Sequence, residues 1–119
     1  MKKKVLVVDD DKLMLDYMKG ILEEDYDVLA ADNGKNGMSL VLLFEPDLIV
    51  LDLVMPHLDG YKFLKILKEK KLTTKVIVMT GVPEDKRDDM DMSNVLEVIL
   101  KPFKSGDFLN KVRKHIEVQ

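Results

Sequence analysis

The feature that most constrains this chain is a set of short apolar runs that do not alternate with polar residues and that each end abruptly in a charged or hydroxyl side chain. The clearest lies within residues 46–60, PDLIVLDLVMPHLDG, where Leu48, Ile49, Val50 and Leu51 run together. Strict alternation would mark a strand with one wet face, whereas an unbroken run marks a strand buried on both faces of a parallel sheet. Asp52 ends the run, and Pro56 followed by Asp59-Gly60 supplies turn residues that stop the strand and start another element. Open α/β sheets bind their ligands at the carboxyl edge of the strands. Asp52 is therefore the first candidate for a functional group.

The same grammar recurs along the chain. Residues 5–8 read VLVV and end in Asp9, Asp10 and Asp11, residues 76–79 read VIVM and end in Thr80-Gly81, and residues 98–100 read VIL and end in Lys101-Pro102-Phe103. A short strand is predicted at 28–31. Between these runs the apolar residues fall at helical spacing: Met14, Met18, Ile21 and Leu22 predict a helix over 12–24, with Asp10 or Asp11 as N-cap. Asn33-Gly34 turns the chain into a helix over 35–44, which Pro46 terminates from beyond its end. Tyr61, Phe63, Leu64 and Leu67 predict a third helix, closed by Lys68, Lys70 and Lys71 at its negative pole. Residues 83–93 are mostly charged, with Met90 and Met92 as anchors for a short, loosely held helix, and Ser105 caps a closing helix carrying Phe108, Leu109, Val112 and Ile116. Five strands alternating with five helices predict an α/β fold, a doubly wound five-stranded parallel sheet, in one domain over residues 1–119.

Four strand ends thus carry reactive side chains: Asp9 and Asp10, Asp52, Thr80 and Lys101. In a parallel sheet all carboxyl ends lie on one edge, so these groups converge although they span most of the chain. Three carboxylates brought together repel one another, and a hard divalent cation with oxygen ligands relieves that. Mg²⁺ suits one or two carboxylates, several waters and a phosphate oxygen. Thr80 and Lys101 add the hydroxyl donor and the cation that a transferring phosphoryl group needs, which leaves Asp52 as the nucleophile of an acyl phosphate.

Composition narrows the classes further. The 119 residues contain no cysteine, which excludes disulfides, thiolate metal sites and a cysteine nucleophile. The basic start, Lys2 to Lys4, is followed by only four apolar residues before the aspartates, so neither a signal peptide nor a membrane span fits and a cytoplasmic protein is expected. Basic residues are dispersed and the net charge is −3, so no direct nucleic-acid binding is expected.

In order and spacing, VLVVDDD, DLIVLDLVMPHLDG, VIVMTG and ILKPF resemble the receiver domain of response regulators, the CheY-like family of two-component signalling, over essentially the whole chain. The resemblance implies that Asp52 accepts a phosphoryl group from a histidine kinase, a histidine phosphotransfer protein or a small phosphodonor. It implies that Asp10, Asp52 and the backbone carbonyl of Val54 ligate Mg²⁺, with Asp9 acting through a metal-bound water. It further implies that Lys101 pairs with Asp52 and then with the phosphoryl group, that Thr80 moves to hydrogen-bond it, and that the Lys101–Pro102 bond is cis. The downstream partner is then a protein target, including a second copy in a phosphorylation-dependent dimer. Catalysis is confined to the domain's own phosphorylation and dephosphorylation. Residues 1–119 are either a stand-alone receiver or part of a longer regulator.

Several positions depart from the family pattern. Val98 stands where receivers usually carry Tyr or Phe, and it has no ring to rotate. Val54 and Val82 occupy positions that tune phosphoryl loss and can orient no attacking water, so self-dephosphorylation should be slow. Leu42 and Leu43, with Met38, Leu40, Val41 and Phe44, make the second helix apolar nearly all round, and burial against neighbouring loops is the expectation. His57 and His115 are read as surface residues. Two rivals remain, an Mg²⁺-dependent phosphohydrolase working through an aspartyl phosphate and a constitutive receiver-like scaffold. Val54 replaces the second acid of a DxD pattern, which opposes the first, and the complete residue set opposes the second.

Overall fold

A computed structural model of the chain describes residues 2–55, 58–82 and 89–117. Five strands form one parallel sheet: β1 (Lys4–Val8), β2 (Asp27–Ala31), β3 (Leu48–Asp52), β4 (Lys75–Thr80) and β5 (Val95–Leu100), in the spatial order β2-β1-β3-β4-β5. Four helices are present among the described residues: α1 (Lys12–Leu22), α2 (Gly34–Phe44), α3 (Gly60–Glu69) and α4 (Ser105–Glu117). The helix expected over 83–93 falls largely outside the described residues, and residues 89–94 are not helical.

The alternation of side chains along each strand divides the core in two. Val5, Val7, Leu48, Val50, Ile77, Met79 and Ile99 face α1 and α4, where Met18, Leu22, Phe108, Val112 and Ile116 meet them. Leu6, Val8, Ile49, Leu51, Val76 and Val78 face α2 and α3, against Met38, Val41, Phe63, Leu64 and Leu67. This two-sided burial is why the central strands read as unbroken apolar runs. Each fully buried aliphatic or aromatic side chain contributes about 1.5–3 kcal/mol, so the sheet's carboxyl edge is held rigidly.

The helix starts follow local chemistry. The Asp11 carboxylate accepts hydrogen bonds from the backbone N–H groups of Leu13 and Met14, Asn33 accepts from Asn36, and Asp59 accepts from Lys62. Ser105 is already the first residue of α4, and Phe108 N–H donates to the Lys104 carbonyl, so the cap position falls on Lys104 rather than on Ser105 as expected. The Lys101–Pro102 peptide is cis.

Three expectations need correction. Strand β5 begins at Val95, earlier than residue 98, and Glu97 is accommodated within it because Lys111 Nζ and His115 Nε2 lie 2.8 and 2.7 Å from its two carboxyl oxygens. His115 is accordingly a half-buried partner of β5, not a simple surface residue. In α2 Met38 and Val41 are buried in the core, with Gly37 against Val8 and Leu40 partly buried beside them. Leu42, Leu43 and Phe44 are exposed, and among the described residues no loop covers them. His57 lies outside the described residues.

Candidate functional site

The strand ends converge as the topology requires. One carboxylate oxygen from each of Asp9, Asp10 and Asp52 lies within 4.8 Å of the others, with Asp9 and Asp52 buried and Asp10 exposed. Register explains this: β1 and β3 are neighbours, Val8 pairs with Leu51, and the residues that follow each emerge side by side. Lys101 reaches in from the end of β5. Its ammonium is 2.9 Å from Asp9 Oδ2 and 3.5 Å from Asp52 Oδ2.

Second contacts fix these groups. Asp9 is only 1% exposed, and its other oxygen accepts the Asp11 N–H at 2.9 Å. Asp52 Oδ1 accepts the Val54 N–H at 3.3 Å. Thr80 is fully buried at the end of β4, its hydroxyl oxygen accepts the Val82 N–H at 3.0 Å, and its carbonyl accepts the Lys101 N–H at 2.9 Å. The structure thus brings Asp9, Asp10, Asp52 and Lys101 into direct reach, with Thr80 on the adjoining strand end.

Two glycines that the sequence marks as turn residues also shape the loop after Asp52. A Cβ on Gly60 would lie 2.6 Å from the Asp52 carbonyl oxygen and 2.5 Å from Leu53 Cα, and Gly60 N–H closes the loop on Leu53 O at 2.8 Å. Gly34 likewise abuts the Leu58 backbone. Only the absence of a side chain admits these approaches. The adjacent Asn33-Gly34 and Asp59-Gly60 pairs were legible as turns, but their closeness to Asp52 was not.

The electrostatics are unbalanced. Burial, followed by the charge of Asp9, pushes the Asp52 carboxyl up to about 6; Lys101 and the Val54 N–H pull the other way without prevailing, and Asp10 adds to the rise. Burial pulls the Lys101 ammonium down, but its hydrogen bond to Asp9 and the charges of Asp52 and Asp9 outweigh this and leave it raised. Among the described residues Lys101 is the cation paired within this cluster of three carboxylates, through Asp9 and Asp52. That donor set, hard oxygens with surplus negative charge and one exposed member, fits a divalent cation such as Mg²⁺.

A doubly wound sheet that presents an acid cluster and a lysine at one edge defines a single-site α/β module built around a buried aspartate. Residues 5–113 match the family model described as the response regulator receiver domain, and the chain belongs to that family. It is 33% identical over 118 residues to a probable C4-dicarboxylate response regulator, DctR, of Bacillus subtilis, covering 96% of this chain and 50% of that protein. The chain thus spans about half the length of that relative. It is 31% identical over 116 residues to the chemotaxis protein CheY of Halobacterium salinarum, covering 94% of this chain and 95% of that one. Among solved structures, a CheY-like receiver domain from Methanospirillum hungatei superposes with a TM-score of 0.90 at 27% identity, covering 99% of this chain and 96% of that one. Receiver domains are signalling modules of two-component systems, and this chain is one of them.

Proposed function

We propose that this receiver works as a phosphorylation-driven switch in which Asp52 is the acceptor. The observation that carries the reading is the Asp52 carboxylate at the mouth of the sheet edge, crowded by Asp9 and Asp10 and only partly answered by Lys101. An Asp52 oxygen attacks the phosphorus of a phosphohistidine or of acetyl phosphate. The new O–P bond forms as the P–N or P–O bond breaks, and the leaving group departs with the electron pair. Asp9, Asp10, Asp52 and the Val54 carbonyl would hold Mg²⁺, whose chemistry there would be to offset negative charge on a phosphoryl group.

The protein's own groups do the rest. Lys101 moves from Asp9 towards a phosphoryl oxygen, and Thr80 exchanges its bond with the Val82 N–H for another oxygen. Leu13 and Tyr17, exposed on α1, and the exposed Val54 beside Asp52 offer apolar surface on which a histidine kinase or phosphotransfer protein would dock. The domain would act in the cytoplasm on a protein target, a second copy included. The dispersed basic residues give it no nucleic-acid face of its own. Among the described residues no helix is long and apolar enough to cross a membrane.

Two apolar neighbours should set the lifetime of the phosphoryl group. Val54 and Val82 offer no hydrogen-bonding group to an attacking water, which supports slow self-dephosphorylation. Val98 packs half-buried against the α2–α3 side, so the Thr80 loop rather than a rotating ring would carry the signal.

Incubation with acetyl phosphate and Mg²⁺, followed by intact mass, tests the proposal. One added phosphoryl group is expected in the wild type and none in Asp52→Asn; equal labelling of both would overturn it. Val54→Asn and Val82→Glu should each shorten the lifetime of the labelled form, and unchanged or slower decay in both would overturn the lifetime argument.

A further inference from the structure

We infer that Phe103 and Tyr17 are positioning residues for Lys101: together they fix where its ammonium stands between Asp9 and Asp52, and so set how fast a phosphoryl group is transferred. The inference rests on the role proposed above for Lys101 at that group. Lys101 lies on the turn from β5 into α4, outside any strand or helix. Its backbone N–H donates to the Thr80 carbonyl at 2.9 Å at one end of the turn, and the Lys104 carbonyl accepts the Phe108 N–H at 3.0 Å at the other. Between these bonds Pro102 has no N–H to donate and is exposed, as is Lys104. Phe103 is the residue of the turn that packs against the core.

Its ring is held from two sides. The Phe103 centroid lies 5.1 Å from that of the fully buried Phe108 on α4 and 6.1 Å from that of Tyr17 on α1, with the ring planes tilted by 40° and 41°. At such separations aromatic rings attract each other beyond the area that they bury. Tyr17 is 47% exposed, so it closes the stack from the solvent side.

Connectivity gives this stack a role beyond packing. Helix α1 follows directly on the strand end that supplies Asp9: Asp9 accepts the Asp11 N–H, and Asp11 caps the helix that carries Tyr17. The two chain segments that meet at the Asp9–Lys101 ion pair, 2.9 Å long, therefore meet a second time at Tyr17 and Phe103. A lysine is a point charge on a flexible four-carbon stem, so one ion pair leaves it room to swing. A second contact between the same segments restrains the backbone from which that stem extends. The ammonium stands 2.9 Å from Asp9 and 3.5 Å from Asp52, and a displacement of about 1 Å at such a group can slow a reaction by up to about a hundredfold.

The test compares Phe103→Ala, Tyr17→Ala and Tyr17→Phe in the full chain. Three quantities are read: the NMR order parameter of the Lys101 Cε methylene without any phosphodonor, Mg²⁺ affinity, and the rate of transfer from acetyl phosphate at saturating Mg²⁺. Both alanine variants should lower the order parameter by about a third or more and slow transfer at least about tenfold. Mg²⁺ affinity should hold or rise, since the carboxylates stay in place and a loosened cation competes less with the metal. Tyr17→Phe keeps the ring and should recover most of what Tyr17→Ala loses. Should Phe103→Ala not fold, the two variants at half-exposed Tyr17 carry the same expectations. An unchanged Lys101 order parameter in the alanine variants, a fall in Mg²⁺ affinity that parallels the slower transfer, or equal losses in Tyr17→Phe and Tyr17→Ala would each overturn the inference. Absence of label on wild-type Asp52 would instead strike the acceptor reading, and the order parameter, measured without phosphodonor, would then decide the positioning by itself.

Discussion

Two clusters of carboxylates and cations lie at β5, and they behave oppositely. At the sheet edge Lys101 faces Asp9 and Asp52, with Asp10 close by, and burial together with the charge of Asp9 raises Asp52 to about 6. On the face towards α4, Glu97 meets Lys111 and His115. There burial pushes the Glu97 carboxyl up, but the hydrogen bonds from Lys111 and His115 outweigh it and hold the carboxyl below its ordinary value. The residue types are alike. The difference is how the carboxylates are answered: Glu97 takes close contacts from both Lys111 and His115, while among the described residues Lys101 is the cation paired with the Asp9, Asp10 and Asp52 cluster, through Asp9 and Asp52. A satisfied cluster pins a helix to a strand, and an unsatisfied one is what the proposed uptake of a cation and a phosphoryl group would require.

Removing single groups sharpens this contrast. The largest effect on stability is expected from Lys101→Ala, which strands the buried Asp9 and Asp52; about 2–3 kcal/mol should be lost in denaturant melts near about pH 7.5 without divalent cation. Most of it should return on adding Mg²⁺, which answers the same charges. Asp52→Asn should do the reverse and stabilise the cation-free protein by about 1–2 kcal/mol at that pH, since it removes an ionised carboxylate that the site disfavours. The pH dependence has a definite sign. Asp52 has a raised folded pKa, so its contribution to stability is full below the unfolded value of 3.8 and is lost as the pH rises through about 6. The gain in Asp52→Asn should therefore vanish below about pH 4.

Smaller effects belong to the satisfied cluster. Glu97→Gln should cost about 0.5–1 kcal/mol, because the pairs are partly exposed. Its pH dependence runs the other way: the lowered carboxyl of Glu97 contributes stability above its ordinary value of 4.5 and loses it as the pH falls through its folded value. Loss of wild-type stability on acidification that persists unchanged in Glu97→Gln would break the comparison. Leu42→Ser, on the solvent side of α2 and outside both clusters, should stay within about 0.5 kcal/mol and sets the baseline.

Much of the acceptor cluster was legible because its chemistry coincides with strand ends. A buried parallel strand advertises itself as an unbroken apolar run, so Asp9, Asp52, Thr80 and Lys101 stood out as the places where burial stops. What stayed hidden depended on contacts distant in sequence. The start of β5 at Val95 was missed because the partners that hold Glu97 within the strand, Lys111 and His115, lie far along the chain, on α4. Leu42 and Leu43 looked buried because composition does not say which side of a helix the sheet occupies. The roles of Gly34 and Gly60 in seating the loop after Asp52 needed the close approach itself.

The most direct test is the titration of the Asp52 carboxyl carbon by NMR, in the absence and presence of Mg²⁺. Without the cation it should titrate at about 6, and with it the value should fall into or below the ordinary carboxylate range. An Asp52 that titrates near 4 without the cation and does not respond to Mg²⁺ would contradict a frustrated acid cluster as the basis of the proposed switch.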